Sequence, residues 1–196
     1  MQQYLPLILF CFSSSITPGP NNLMIMMSGL NYGILRSLPH YWGICLGFMF
    51  MLIVVGLGIN NLFLLFPSLH KIVQIGGIAY IIYLAVKTIF ASTTIETVAA
   101  RRPLNFFQAA LFQWANPKAW MMAVGIFAAF QLSSNKMILQ VMLVAVCATI
   151  ILLPCLAVWL TGGTVMRSLL STPRRIRVYN LLMGVLLLAS IGLMIV

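Results

Sequence analysis

Residues 41 to 69 hold no Lys, Arg, Asp or Glu. A membrane-spanning helix needs about 20 predominantly apolar residues, and the chain has room for six such stretches. It is 62% hydrophobic and 6% charged, with mean hydropathy +1.08. A soluble domain would carry about a quarter charged residues, so the expectation is an all-α integral membrane protein. Met1-Gln2-Gln3-Tyr4 has no positive n-region, and no small-residue cleavage site follows, so the first apolar run reads as a retained helix and not a cleaved signal.

Charge and turn residues divide the chain. The first span runs from about Tyr4 to Leu30, the second from His40 to Leu65 and the third from Leu69 to Phe90. A polar linker at about 91–105 follows, with Glu96, Arg101, Arg102 and Pro103. The fourth span covers about Phe106 to Phe130, the fifth Met137 to Gly162 and the sixth Tyr179 to Val196. The 196 residues thus form one transmembrane domain, with a repeat at about 1–90 and another at about 106–196.

Two spans are interrupted. Thr17-Pro18-Gly19-Pro20-Asn21 lies inside the first and Asn116-Pro117-Lys118 inside the fourth. Proline removes a backbone donor and clashes with the preceding turn. Lipid satisfies none of the freed groups, so such breaks belong against protein or a watery cavity. One broken helix opens each half, and paired interruptions point to a transporter's binding site. Three spans per half place the halves in opposite orientation, as two inverted repeats.

The net charge of +10 comes from Lys and Arg lying between apolar runs, where they orient the chain and meet lipid headgroups. Arg36, Lys87, Arg101, Arg102, Arg167, Arg174, Arg175 and Arg177 fall on one side, and Lys71 and Lys136 on the other. The richer side is expected to be cytoplasmic, with both termini outside. No basic cluster with interleaved aromatics marks a nucleic-acid face.

Lys118 is the only ionisable residue deep in an expected span. A charge there is costly and therefore a functional hypothesis. The competing reading is that it snorkels or ties down carbonyls freed by Pro117. Gln113 and Asn116 share a helical face, and Asn21 and Asn22 flank the other break. Amide ends of helices and an amine attract a carboxylate, whereas carbonyls and Asn oxygens suit an ammonium. A zwitterionic amino acid carries both charges. Tyr80 is deep enough to line the same cavity, whereas Tyr83 and Lys87 read as interfacial anchors. Gly43 and Gly47 read as a small-residue packing face, as in membrane helix pairs. Small-residue faces leave room for a homodimer, for which no motif speaks.

The chain has a single acidic residue, Glu96, in the linker. No carboxylate within the membrane serves a metal cation or a proton relay, which leaves Lys118 as the buried candidate for proton coupling. Cys11, Cys45, Cys147 and Cys155 form no CxxC pair, and His40 and His70 are isolated, so no cofactor or metal is expected. No nucleophile–base pair or phosphate-binding glycine loop appears, so enzyme chemistry has no visible home.

The chain resembles the lysine-exporter (LysE/RhtB) superfamily of bacterial amino-acid exporters over nearly its whole length. The resemblance rests on Thr17-Pro18-Gly19-Pro20-Asn21, on the segment from Gly76-Gly77 through Tyr80 to Leu84, and on Asn116-Pro117-Lys118-Ala119-Trp120. It implies efflux of amino acids or close derivatives across the bacterial inner membrane, driven by the proton motive force. Asn-Pro-Lys resembles the homoserine/threonine and neutral amino-acid branch, and a basic residue at 118 would repel a cationic side chain. Many members carry Asp after Pro-Gly-Pro; here it is Asn21, as in exporters of cysteine and O-acetylserine, which argues against Asp-based proton coupling. The expected site is therefore Thr17, Pro18, Gly19, Pro20, Asn21, Asn22, Tyr80, Gln113, Asn116, Pro117 and Lys118. Rival readings are a membrane thiol-redox carrier, which needs an exchanging cysteine pair that the fourth span lacks, and a passive pore or structural subunit.

Overall fold

A computed structural model describes residues 4–59, 67–90, 102–129, 136–170 and 172–195. Among the described residues there is no strand. The helices are α1 (Tyr4–Ile16), α2 (Pro20–Val54), a short π segment (Val55–Ile59), α3 (Pro67–Ile89), α4 (Phe106–Ala115), α5 (Pro117–Ala129), α6 (Met137–Leu169) and α7 (Pro173–Ile195). The end of the expected second span and most of the linker lie outside the described residues.

The first and second spans are not separated by the expected loop at 31–39. Helix continues through these residues except at Gly33, where φ is 76° and ψ 176°. Only glycine takes that left-handed φ without strain. The hydroxyls of Ser28 and Ser37 are hydrogen-bonded at 2.7 Å. Nine residues of straight helix would separate them by about 13.5 Å, so the chain doubles back at Gly33. Arg36 did not end the helix because arginine is a good helix former. For the same reason α6 runs on beyond Gly162, and α7 starts at Pro173 rather than Tyr179, with proline in the first helical position, where its missing N–H costs nothing.

Length and composition mark two stretches as able to cross a membrane, Pro20–Gly58 and Met137–Met166. The first joins the end of one expected span to most of the next. Helices α4 and α5, with 10 and 13 residues, are each too short to cross alone. Helices α3 and α7 have 23 residues each and carry basic residues at their ends.

The distribution of polarity is inverted relative to a soluble protein. Leu35, Phe90, Phe107, Leu111 and Ile138 are each at least 68% exposed, and large apolar side chains cover the outside of every helix with described side chains. A soluble monomer rarely shows apolar patches of more than a few hundred Å². Ser15, Asn22, Ser28, Ser37, Gln113 and Asn116 are buried instead.

Packing pairs α2 with α6 and α4, α1 with α6, and α3 with α7. The larger apolar core lies between α1, α2, α4, α5 and α6, and a smaller one joins the start of α2 to α3 and α7. Small residues bring backbones together, as the sequence implied. A Cβ on Gly43 would overlap the Phe106 carbonyl, and one on Gly47 would overlap Ala110. Asn105 starts α4 with a capping box: its side chain accepts from the Gln108 N–H, and the Gln108 side chain accepts from its own.

Candidate functional site

The two breaks have one form. Gly19 and Asn116 are extended (φ −177°, ψ 174°; φ −94°, ψ 106°), and each precedes the proline that begins the next helix. A residue before proline is pushed out of the α region, and proline suits the first helical position. Pro20 and Pro117 thus act as starts of α2 and α5, whereas the sequence reading took them as interior breakers.

Each carbonyl at the end of α1 finds a donor. Ser13 O accepts from the Thr17 N–H, and Ser14 O from the Thr17 hydroxyl. The Asn22 amide donates to Ser15 O at 2.7 Å and Thr17 O at 2.8 Å. Ile16 O accepts from the Trp159 indole at 3.1 Å. Buried backbone groups must be paired, and much of the polarity around this break meets that requirement. Asn22, 4% exposed, is consumed by it. At the other break Trp114 O accepts from the Trp120 indole, and the Asn116 side chain accepts from the Lys118 N–H.

Lys118 crosses from one break to the other. Its ammonium donates to Thr17 O at 2.8 Å, to Thr17 Oγ1 at 3.0 Å and to Pro18 O at 3.2 Å. These are as many contacts as an ammonium has protons. The competing reading of the sequence had Lys118 tying down the carbonyls freed by Pro117; the carbonyls it holds are those of the opposite break. A Cβ on Gly19 would lie 2.7 Å from Lys118 Cδ and 3.0 Å from Nζ. Gly19 is therefore required by the path of the lysine, since its extended backbone suits any residue. Beside this clasp the Asn21 and Gln113 amides exchange hydrogen bonds, at 2.7 Å and 3.2 Å.

A cavity of about 30 Å³ lies here, lined among others by Ser14, Asn21, Phe48, Asn116, Lys118 and Met122. About 10–15 Å³ of such space holds one water, so the cavity has room for water and is too small for an amino acid. The structure brings together Thr17, Pro18, Gly19, Pro20, Asn21, Asn22, Gln113, Asn116, Pro117 and Lys118. Tyr80 falls within α3, but its side chain lies outside the described residues. Sequence reasoning missed Ser14, Ser15 and Trp159. A serine or tryptophan in an apolar run looks like filler or an interfacial anchor; Ser14 and Ser15 stand just before the break in α1, and Trp159 reaches it through the packing of α6 against α1.

Cys11, Cys45 and Cys155 are buried and Cys147 is exposed, all as free thiols. No group of His, Cys, Asp or Glu among the described residues could hold a metal.

Residues 12–196 match the family described as LysE type translocator. Cysteine/O-acetylserine efflux proteins of Escherichia coli (strain K12) and Shigella sonnei (strain Ss046) are 30% identical to the chain over 124 residues. That stretch covers 63% of the chain and 63% of each relative, so the match spans less than two thirds of the relatives' length. No solved structure matches.

Proposed function

This chain belongs to the LysE type translocator family, and from that premise we propose that it exports a small neutral amino acid or close derivative, of the cysteine, O-acetylserine, threonine or homoserine kind. It does so as a secondary carrier of the bacterial inner membrane, coupled to protons, with six spans and both termini periplasmic. The observation that carries the reading is the clasp of Lys118 on the carbonyls of Thr17 and Pro18. A zwitterion slipped between them satisfies both sides at once: its carboxylate takes the ammonium, and its own ammonium takes the carbonyls.

Two inverted repeats are supported by the pairing of helices. Broken α1 and α2 lie against α6, while broken α4 and α5 lie against α2, and α3 meets α7. Exchanging the halves carries the α1–α6 pair onto the α4–α2 pair and the α3–α7 pair onto itself. The cavity must enlarge to admit substrate, which rocking of one half against the other would achieve. The efflux activity named for the relatives favours O-acetylserine and cysteine as first substrates to try.

Counterflow in proteoliposomes tests the proposal. Vesicles preloaded with unlabelled O-acetylserine are expected to take up labelled O-acetylserine transiently above equilibrium. A passive pore gives no overshoot, and flat traces for O-acetylserine, cysteine, threonine and homoserine alike would overturn the assignment. A variant with Cys11, Cys45, Cys147 and Cys155 all replaced by Ala or Ser is expected to retain at least half of wild-type flux per folded protein. Loss of flux by that folded variant would favour thiol-redox chemistry.

A further inference from the structure

The clasp of Lys118 grips only what all amino acids share, an amine and a carboxylate. Beside it stands an amide pair that joins the two breaks. Asn21 Nδ2 donates to Gln113 Oε1 at 2.7 Å, and Gln113 Nε2 donates to Asn21 Oδ1 at 3.2 Å. Gln113 Nε2 also donates to Ala109 O, one turn back on α4, at 2.9 Å. An amide nitrogen, and not an amide oxygen, must face that carbonyl. The contact therefore fixes which end of Gln113 meets which end of Asn21, and so which way the Asn21 amide points. Gln113 is fully buried and does not line the cavity beside Lys118, whereas Asn21 is half-buried and lines it.

A side-chain amide offers two N–H groups and two acceptor positions on its oxygen. Gln113 occupies one of each on Asn21, which leaves one N–H and one acceptor position. Much of the cavity wall is apolar, from Phe48, Ala119, Met122 and Leu152, and Lys118 is the one charged side chain among its described lining residues. We infer that Asn21 reads the side chain of the substrate, selecting one that is small, neutral and largely apolar with a single hydrogen-bonding group such as a hydroxyl, and that Gln113 is the positioning residue that aims the Asn21 amide. The inference rests on the proposed export of an amino acid and adds what distinguishes one such substrate from another. A hydroxyl uses a spare position of Asn21 as donor or as acceptor. A methyl group of the same size uses neither, and it displaces the water that would. A site built to hydrogen-bond its substrate rejects the analogue that lacks the group, because the protein's own polar group is left unpaired.

Competition in the counterflow assay tests this, run on the full chain against whichever labelled amino acid gives the overshoot. Two pairs of competitors differ by a hydroxyl in place of a methyl: threonine against valine, and homoserine against norvaline. In the wild-type protein the hydroxyl member of each pair is expected to compete about tenfold better. Asn21→Leu and Gln113→Leu are each expected to bring that ratio below twofold, by weakening the hydroxyl member and not the apolar one. The ratio is independent of how much protein folds, so a loss of stability alone leaves it unmoved. The double variant should match the single ones, since Gln113 acts through Asn21. A wild-type ratio near one for both pairs, with counterflow intact, would overturn the inference and leave the exporter reading standing. Flat counterflow for every labelled amino acid would remove both. An unchanged ratio in Asn21→Leu would refute the reading role of Asn21, and an unchanged ratio in Gln113→Leu alone would refute the positioning role of Gln113.

Discussion

Lys118→Ala is expected to lower export in proteoliposomes at least a hundredfold. Each hydrogen bond to a charged group contributes about 1.5–3 kcal/mol, and the ammonium makes three contacts to the opposite break. Under the proposed mechanism the substrate carboxylate inherits that ammonium, so the variant loses both the closed clasp and the loaded one. The substitution also removes the donor to Pro18 O, but Pro18 is exposed, so only a small loss of stability is expected beside the loss of transport. Gly19→Ala separates the two effects. Its added methyl meets the flexible end of Lys118, and not backbone. The fold should survive with a small change in melting, while the displaced ammonium cuts flux by about tenfold or more. Wild-type flux in both variants would remove Lys118 from the mechanism.

Gly163 is expected to tolerate no side chain at all. A Cβ there would overlap the Met26 carbonyl, and a Cβ on Gly29 would overlap the Leu160 carbonyl. Both clashes are with backbone, at the crossing of α2 and α6, so neither relaxes by a rotamer change. Overpacking of this kind costs about 1–3 kcal/mol and sometimes more. Gly163→Val should sit at or beyond the upper end and leave little folded protein in detergent. Its neighbour supplies the control, because a Cβ on Gly162 meets nothing within 4 Å. Gly162→Ala is expected to be neutral or to stabilise α6 by up to about 1 kcal/mol. Melting of the two variants side by side checks the crossing: similar values would refute it.

Much of this was legible in the chain itself. Both breaks were visible, because proline carries its meaning locally. The meeting of Asn21 with Gln113, and of Thr17 with Lys118, followed from placing one break in each half. The doubling back at Gly33 was not visible: Arg36 and the turn-like residues around it suggested a loop, whereas one left-handed glycine does the work within helix. The role of Gly19 was equally hidden, since the need arises from a lysine about a hundred residues away. Pairing of Trp159 with Ile16 depends on the packing of α6 against α1, and no local periodicity encodes it.

The small volume beside Lys118 bears on the economy of a cell. Under the proposed mechanism, an empty carrier whose Lys118 holds the opposite break leaves room there for water and for no amino acid. Abundant expression of such a protein would not drain a nutrient pool through idle copies, and only cargo able to displace the amine would be lost.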